Sequence, residues 1–172
     1  MNVSKDPVKE IFYNYYSPLC NYATSFVTDK MVAEDIVQNL FIQLWESDKL
    51  NEIESLDKFL IRATKFKCID YLRTFKADKS LIIDDSWMLK ANSPSDLKEE
   101  EIEPLLRYFA AKLPPKTREV FLKSRTESKT YKEIAESMDI SVKTVETQMS
   151  RALKQMKQIL KDNDFLSITF ML

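Results

Sequence analysis

No glycine occurs anywhere in the 172 residues. Tight hairpins, phosphate-cradling loops and dinucleotide-binding turns lean on glycine for positive φ or close backbone approach. Sheet-rich and nucleotide-binding folds therefore start at a disadvantage. A helical chain does not, because its helices can end on Asn, Asp or Pro. Histidine is absent as well, which removes the commonest general base and the commonest zinc ligand. Cys20 and Cys68 stand far apart in apolar helical contexts and read as buried structural thiols of a reducing cytosol. Hydrophobic residues form 44 % of the chain and charged residues 31 %, which suits a packed core under a soluble surface. Residues 1–6 carry no signal-peptide pattern, and no run approaches the ~18 apolar residues of a membrane span. The expectation is a cytoplasmic, all-α protein with no cofactor, no metal site, no catalytic residue and no small-molecule substrate. The apolar stretch from Phe165 to Leu172 reads as a flap packing on the protein or on a partner.

Net charge is −1, which alone argues against nucleic acid, but its distribution argues the other way. Residues 1–75 carry −2 and residues 76–104 carry −4, whereas residues 105–161, with thirteen basic and six acidic side chains, carry +7. Residues 162–172 carry −2. A basic segment behind an acidic hinge is an electrostatic footprint rather than a uniform surface.

The hydrophobic period divides the chain into helices. Ile11, Phe12, Tyr15, Leu19, Tyr22 and Phe26 keep a 3.6-residue stripe after Pro7, with a kink expected at Pro18. A second helix spans about Lys30 to Glu46 and a third about Leu56 to Lys76. Residues 77–96 lose the period and read as a linker, with Leu81–Ile83 and Trp87–Leu89 as places where it touches a lobe. The period resumes near Asp96 and stops at Pro114-Pro115. Helices are then expected over about 116–124, 130–138 and 142–160.

The run from Thr130 to Leu153 carries the strongest signal. Thr130 with Glu133 forms a capping box, and Ile134, Ala135 and Met138 supply a buried face. Asp139-Ile140 makes a short turn, and Ser141 caps the next helix. Val142, Val145, Met149, Ala152 and Leu153 anchor that helix inward. Lys143, Thr144, Glu146, Thr147, Gln148, Ser150 and Arg151 are left outside, near the helix N-terminus where a helix-turn-helix meets base edges. An ordinary helical hairpin with a solvated face is the bland alternative.

Leu113-Pro114-Pro115-Lys116-Thr117-Arg118-Glu119-Val120-Phe121, with Tyr131-Lys132-Glu133-Ile134-Ala135 and Ser141-Val142-Lys143-Thr144-Val145, resembles region 4 of the sigma-70 superfamily. Ala33-Glu34-Asp35-Ile36-Val37-Gln38-Asn39-Leu40-Phe41-Ile42-Gln43-Leu44-Trp45 resembles region 2.2, and Lys67-Cys68-Ile69-Asp70-Tyr71-Leu72-Arg73 resembles the region 2.3–2.4 helix. Two such lobes and nothing else is the layout of extracytoplasmic-function (ECF) sigma factors, in wording closest to those of Bacteroidota.

The resemblance implies two helical lobes joined by a flexible linker: residues 1–76 for core polymerase and the −10 element, and 97–161 for the −35 element. Residues 77–96 are then the linker and 162–172 a tail. Asp35, Gln38, Asn39 and Gln43 are implied in docking on the β′ coiled coil, and region 4 on the β flap. Arg62, Lys65, Phe66, Lys67 and Arg73 are implied at −10 DNA, and the exposed positions from Lys143 to Arg151 at −35 DNA. A membrane-anchored anti-sigma factor is the implied regulator. Trp45, Phe59 and Phe66 are candidate base-stacking platforms, with core packing the stronger reading for Trp45 and Phe59.

Four positions depart from the family pattern. Phe66 stands where relatives commonly carry Asn, and Glu146 and Gln148 where many carry Lys, Arg or His. Glu accepts from cytosine N4 and Gln pairs with adenine, so an unusual −35 preference is expected. Asp139 replaces the frequent turn glycine, a change its readiness for positive φ permits. Two rival readings remain: a free-standing helix-turn-helix regulator, which has no need of the region 2.2 motif, and an enzyme. The enzyme's best carboxylates, Asp84-Asp85 and Glu99-Glu100-Glu101, lie in or beside the linker.

Overall fold

In the computed structural model the described residues are 7–47, 49–77, 91 and 97–169. They form helices α1 (Pro7–Val27), α2 (Lys30–Glu46), α3 (Leu56–Ala77), α4 (Glu99–Ala110), α5 (Pro115–Arg125), α6 (Tyr131–Met138), α7 (Val142–Asp162) and α8 (Leu166–Thr169). A 3-10 turn, Leu50–Glu52, sits within the polar break after α2. No strand occurs among the described residues. The chain divides into two compact units, residues 1–97 and 98–172. The expected linker contacts at Leu81–Ile83 and Trp87–Leu89 lie outside the described residues.

In the first unit α1 packs on α2 and α3, and α2 packs on α3. α1 runs through Pro18 as one helix, burying Tyr15, Leu19, Tyr22 and Ala23. α2 turns Ile36, Val37, Leu40 and Leu44 into the same core. α3 meets both α1 and α2, and every residue from Phe59 to Thr64 is buried. Thr64 meets that burial by donating its hydroxyl to the Leu60 carbonyl at 2.8 Å, and Cys68 follows it into the interior.

In the second unit α7 is the central rod, touched by α4, α5, α6 and α8. Val145, Met149, Ala152, Met156 and Leu160 recur at helical spacing and are all buried. Of the apolar stretch 165–172, residues 170–172 lie outside the described residues. Phe165 and Ile168 are fully buried, and the Phe165 ring meets Phe109 edge-on, centroids 5.1 Å apart.

Without glycine, left-handed positions fall to other residues: Thr28, Ser128, Asp139 and Asp164 all have φ between 52° and 63°. Asp139 and Asp164 close helices in the manner glycine usually does. Ile140 N–H reaches the Ala135 carbonyl at 3.0 Å, and Phe165 N–H reaches the Leu160 carbonyl at 2.9 Å. Thr28 is the costly one, because a β-branched side chain crowds its own backbone there. Directly after it, Asp29 caps α2 by accepting from Met31 N–H at 2.8 Å.

Thr28→Gly should therefore stabilise the first unit by about 1 kcal/mol, a rise of about 4 °C in Tm for a domain of this size. An unchanged or lower Tm by calorimetry would contradict the strain. Burial pushes the Cys68 thiol up to about 12 and also raises that of Cys20, against a lowering hydrogen bond with Tyr16. Both thiols should thus resist iodoacetamide at pH 8 in the native chain and react fully in guanidinium. Rapid native labelling would show that either is open to solvent.

Candidate nucleic-acid interface

α6 and α7 are each started by a side-chain cap. Thr130 Oγ1 accepts from Glu133 N–H at 3.3 Å, and the Glu133 carboxylate accepts the Thr130 N–H and hydroxyl at 2.8 and 2.7 Å. These bonds hold the Glu133 carboxyl below the usual carboxylate range. The capping contribution is accordingly present above the ordinary Glu pKa and fades as pH falls through the lowered one. Asp139 stops α6, and two residues later Ser141 Oγ accepts from Thr144 N–H at 3.0 Å to start α7. α7 thus begins at an abrupt bend with its N-terminal turns outward.

Lys143, Thr144, Glu146, Thr147, Ser150 and Arg151 are exposed, opposite the buried Val145, Met149 and Ala152. Two hydroxyls already have partners: Thr144 with Ser141 Oγ at 2.8 Å, and Thr147 with the Lys143 carbonyl at 2.9 Å. Gln148 is different. It is only half exposed, and the hydroxyl of buried Thr117 in α5 donates to its Oε1 at 2.7 Å. Val142, expected to anchor α7 inward, is 42 % exposed, because the first turn projects beyond α6. Leu153 and Met138 are half-buried rather than core. A cleft of about 360 Å³ lies beside Gln148 and Thr144, with Lys116 and Glu119 on its α5 wall and Met138 and Ile140 opposite.

In the first unit, α2 presents Asp35, Gln38 and Asn39 to solvent, and Gln38 Nε2 donates to the Tyr16 hydroxyl at 3.0 Å. Gln43 is half-buried and accepts from the Lys67 ammonium, so these two residues tie α2 to α3. The exposed face also carries Met31, Ile42 and Trp45. Trp45 is 60 % exposed, which overturns the core reading, whereas Phe59 is in the core as expected. Leu44 and Trp45 are neighbours on a helix, and Leu44 holds the inward position.

On α3, Arg62 is 6 % exposed and lies in the interior, which removes it from any DNA-facing surface. It sits in the fully buried stretch of α3 from Phe59 to Thr64. Lys65, Phe66 and Lys67 are half-buried. Arg73 is exposed, in a loose 3.7 Å ion pair with Asp70. Phe75 was not singled out by sequence reasoning and is the most exposed aromatic among the described residues, at 76 %, stacked on Tyr71 at 6.1 Å. The signal was available: two aromatics four residues apart, flanking Arg73 at a basic helix end.

Residues 11–77 match the family described as Sigma-70 region 2, and residues 105–156 match Sigma-70, region 4. The RNA polymerase sigma factor SigZ of Bacillus subtilis is 23 % identical over 155 residues, covering 90 % of this chain and 87 % of that protein. The ferric citrate uptake sigma factor FecI of Escherichia coli is 28 % identical, covering 83 % and 87 %. The ECF RNA polymerase sigma factor SigM of B. subtilis is 24 % identical, covering 88 % and 94 %. The two matched regions fall one in each compact unit and together take in more than half of the residues. The chain belongs to the sigma-70 family and is an RNA polymerase sigma factor of the extracytoplasmic-function type.

Proposed function

We propose that the first unit docks on the β′ coiled coil of core polymerase through the outer face of α2, and that α7 reads the −35 element. The observation that carries this reading is the match of each unit to a different sigma region, with an exposed interaction face in each. On α2 that face alternates polar Asp35, Gln38 and Asn39 with apolar Met31, Ile42 and Trp45. A large exposed indole among polar groups is the composition of an interface anchor rather than of a merely solvated helix. A free-standing regulator would need the second unit alone, and the region 2 match speaks against it.

The same reading assigns −35 contacts to Lys143, Thr144, Glu146, Thr147, Gln148, Ser150 and Arg151. It assigns −10 contacts to Lys65, Phe66, Lys67 and Arg73, to which we add Phe75 as the stacking surface. Glu146 offers only acceptors, which suits cytosine N4. The second unit's basic segment supplies the attraction to phosphate that this requires. No helix among the described residues is long and apolar enough to cross a membrane. The proposed role has the chain act in the cytoplasm, with region 4 on the β flap and a membrane-anchored anti-sigma factor covering the chain when it is off polymerase.

Trp45→Ala should weaken binding of the full chain to core polymerase by about 2 kcal/mol with Tm unchanged, and Asp35→Lys with Gln38→Ala should weaken it independently. Unchanged core binding by both variants would refute the α2 assignment. Arg151→Ala should lower affinity for promoter DNA by about 1–3 kcal/mol if it reads a base, or flatten the salt dependence if it meets phosphate. Wild-type binding by Arg151→Ala at every salt concentration would exclude Arg151 from the interface.

A further inference from the structure

Among the side chains assigned to −35 DNA, Gln148 is set apart by what holds it from behind. Thr117 is 5 % exposed on α5, and its hydroxyl donates to Gln148 Oε1 at 2.7 Å. A glutamine that pairs with adenine must turn its carbonyl and its amino group to the base together, the first to accept from N6 and the second to donate to N7. Here the Thr117 hydroxyl holds the carbonyl oxygen against α5, so a pose that keeps this bond offers a base the amino group rather than the carbonyl. The cleft beside Gln148 and Thr144 gives the amide room to lie in this pose.

We propose that Thr117 is a positioning residue that makes Gln148 a donor-only reader, selecting a keto base in the −35 element. Guanine presents two acceptors, O6 and N7, and thymine presents O4, whereas adenine offers N7 alone and sets beside it an N6 amino donor that the withdrawn carbonyl does not meet, and cytosine offers only the N4 amino donor. This inference rests on the assignment of α7 to −35 DNA and replaces the adenine preference that the residue type alone suggests.

Thr117→Val removes the hydroxyl at nearly constant shape in a buried position, and Thr117→Ser restores it. Full-length wild type and both variants, with Gln148→Ala, would be assembled on bacterial core polymerase and offered promoter duplexes randomised across the −35 element. The wild type should favour guanine or thymine at one position by roughly ten-fold over adenine. Thr117→Val should bring adenine level with the keto bases there, Thr117→Ser should recover the preference, and Gln148→Ala should abolish it. A wild-type preference for adenine, or an unchanged keto preference in Thr117→Val, would overturn the proposal while leaving α7 as the reading helix. Loss of all −35 selectivity in the wild type would overturn that assignment and this proposal with it.

Discussion

The reading surface depends on stopping one helix and starting another within three residues, in a chain that has no glycine to do it. Asp139 takes the left-handed conformation that ends α6, and the Ser141 hydroxyl caps α7. Each replaces intrahelical bonds that the abrupt turn forfeits, since four N–H groups and four carbonyls are orphaned at every helix boundary. Once this corner is closed, the remaining geometry follows. The buried stripe from Val145 to Leu160 must face α4 and α5, so the first turns of α7 can only face outward. The same device recurs at Asp164, where it turns the chain back so that Phe165 reaches Phe109.

Much of this was legible because it is local. Thr130, Glu133, Ser141 and Asp139 announce their caps and turn within four residues, and the α2 bounds follow from the hydrophobic period. What periodicity could not resolve were choices between neighbours and the number of partners a helix has. Leu44 and Trp45 both look apolar, yet only one can point inward. Arg62 looks like a surface cation until α3 is seen packed on two helices at once. The Thr117–Gln148 bond joins residues 31 apart and leaves no trace in spacing. Such long-range polar pairs change what a side chain can recognise without changing its type.

Charge is organised on a coarser scale than contacts. The chain is almost neutral, but residues 105–161 carry +7 and residues 76–104 carry −4. Fields of exposed charge fade beyond about a Debye length, ~8–10 Å at physiological salt. A basic reading unit therefore attracts phosphate locally even though the chain as a whole does not.

The exposure of Trp45 has an optical consequence. An indole in contact with water emits at long wavelength, and covering it with an apolar or weakly polar surface moves the emission to the blue. Because 60 % of Trp45 faces solvent and it lies among the residues offered to a partner, the chain carries its own indicator of occupancy on α2. With the second tryptophan, Trp87, replaced by Phe, the emission of this chain would follow Trp45 alone.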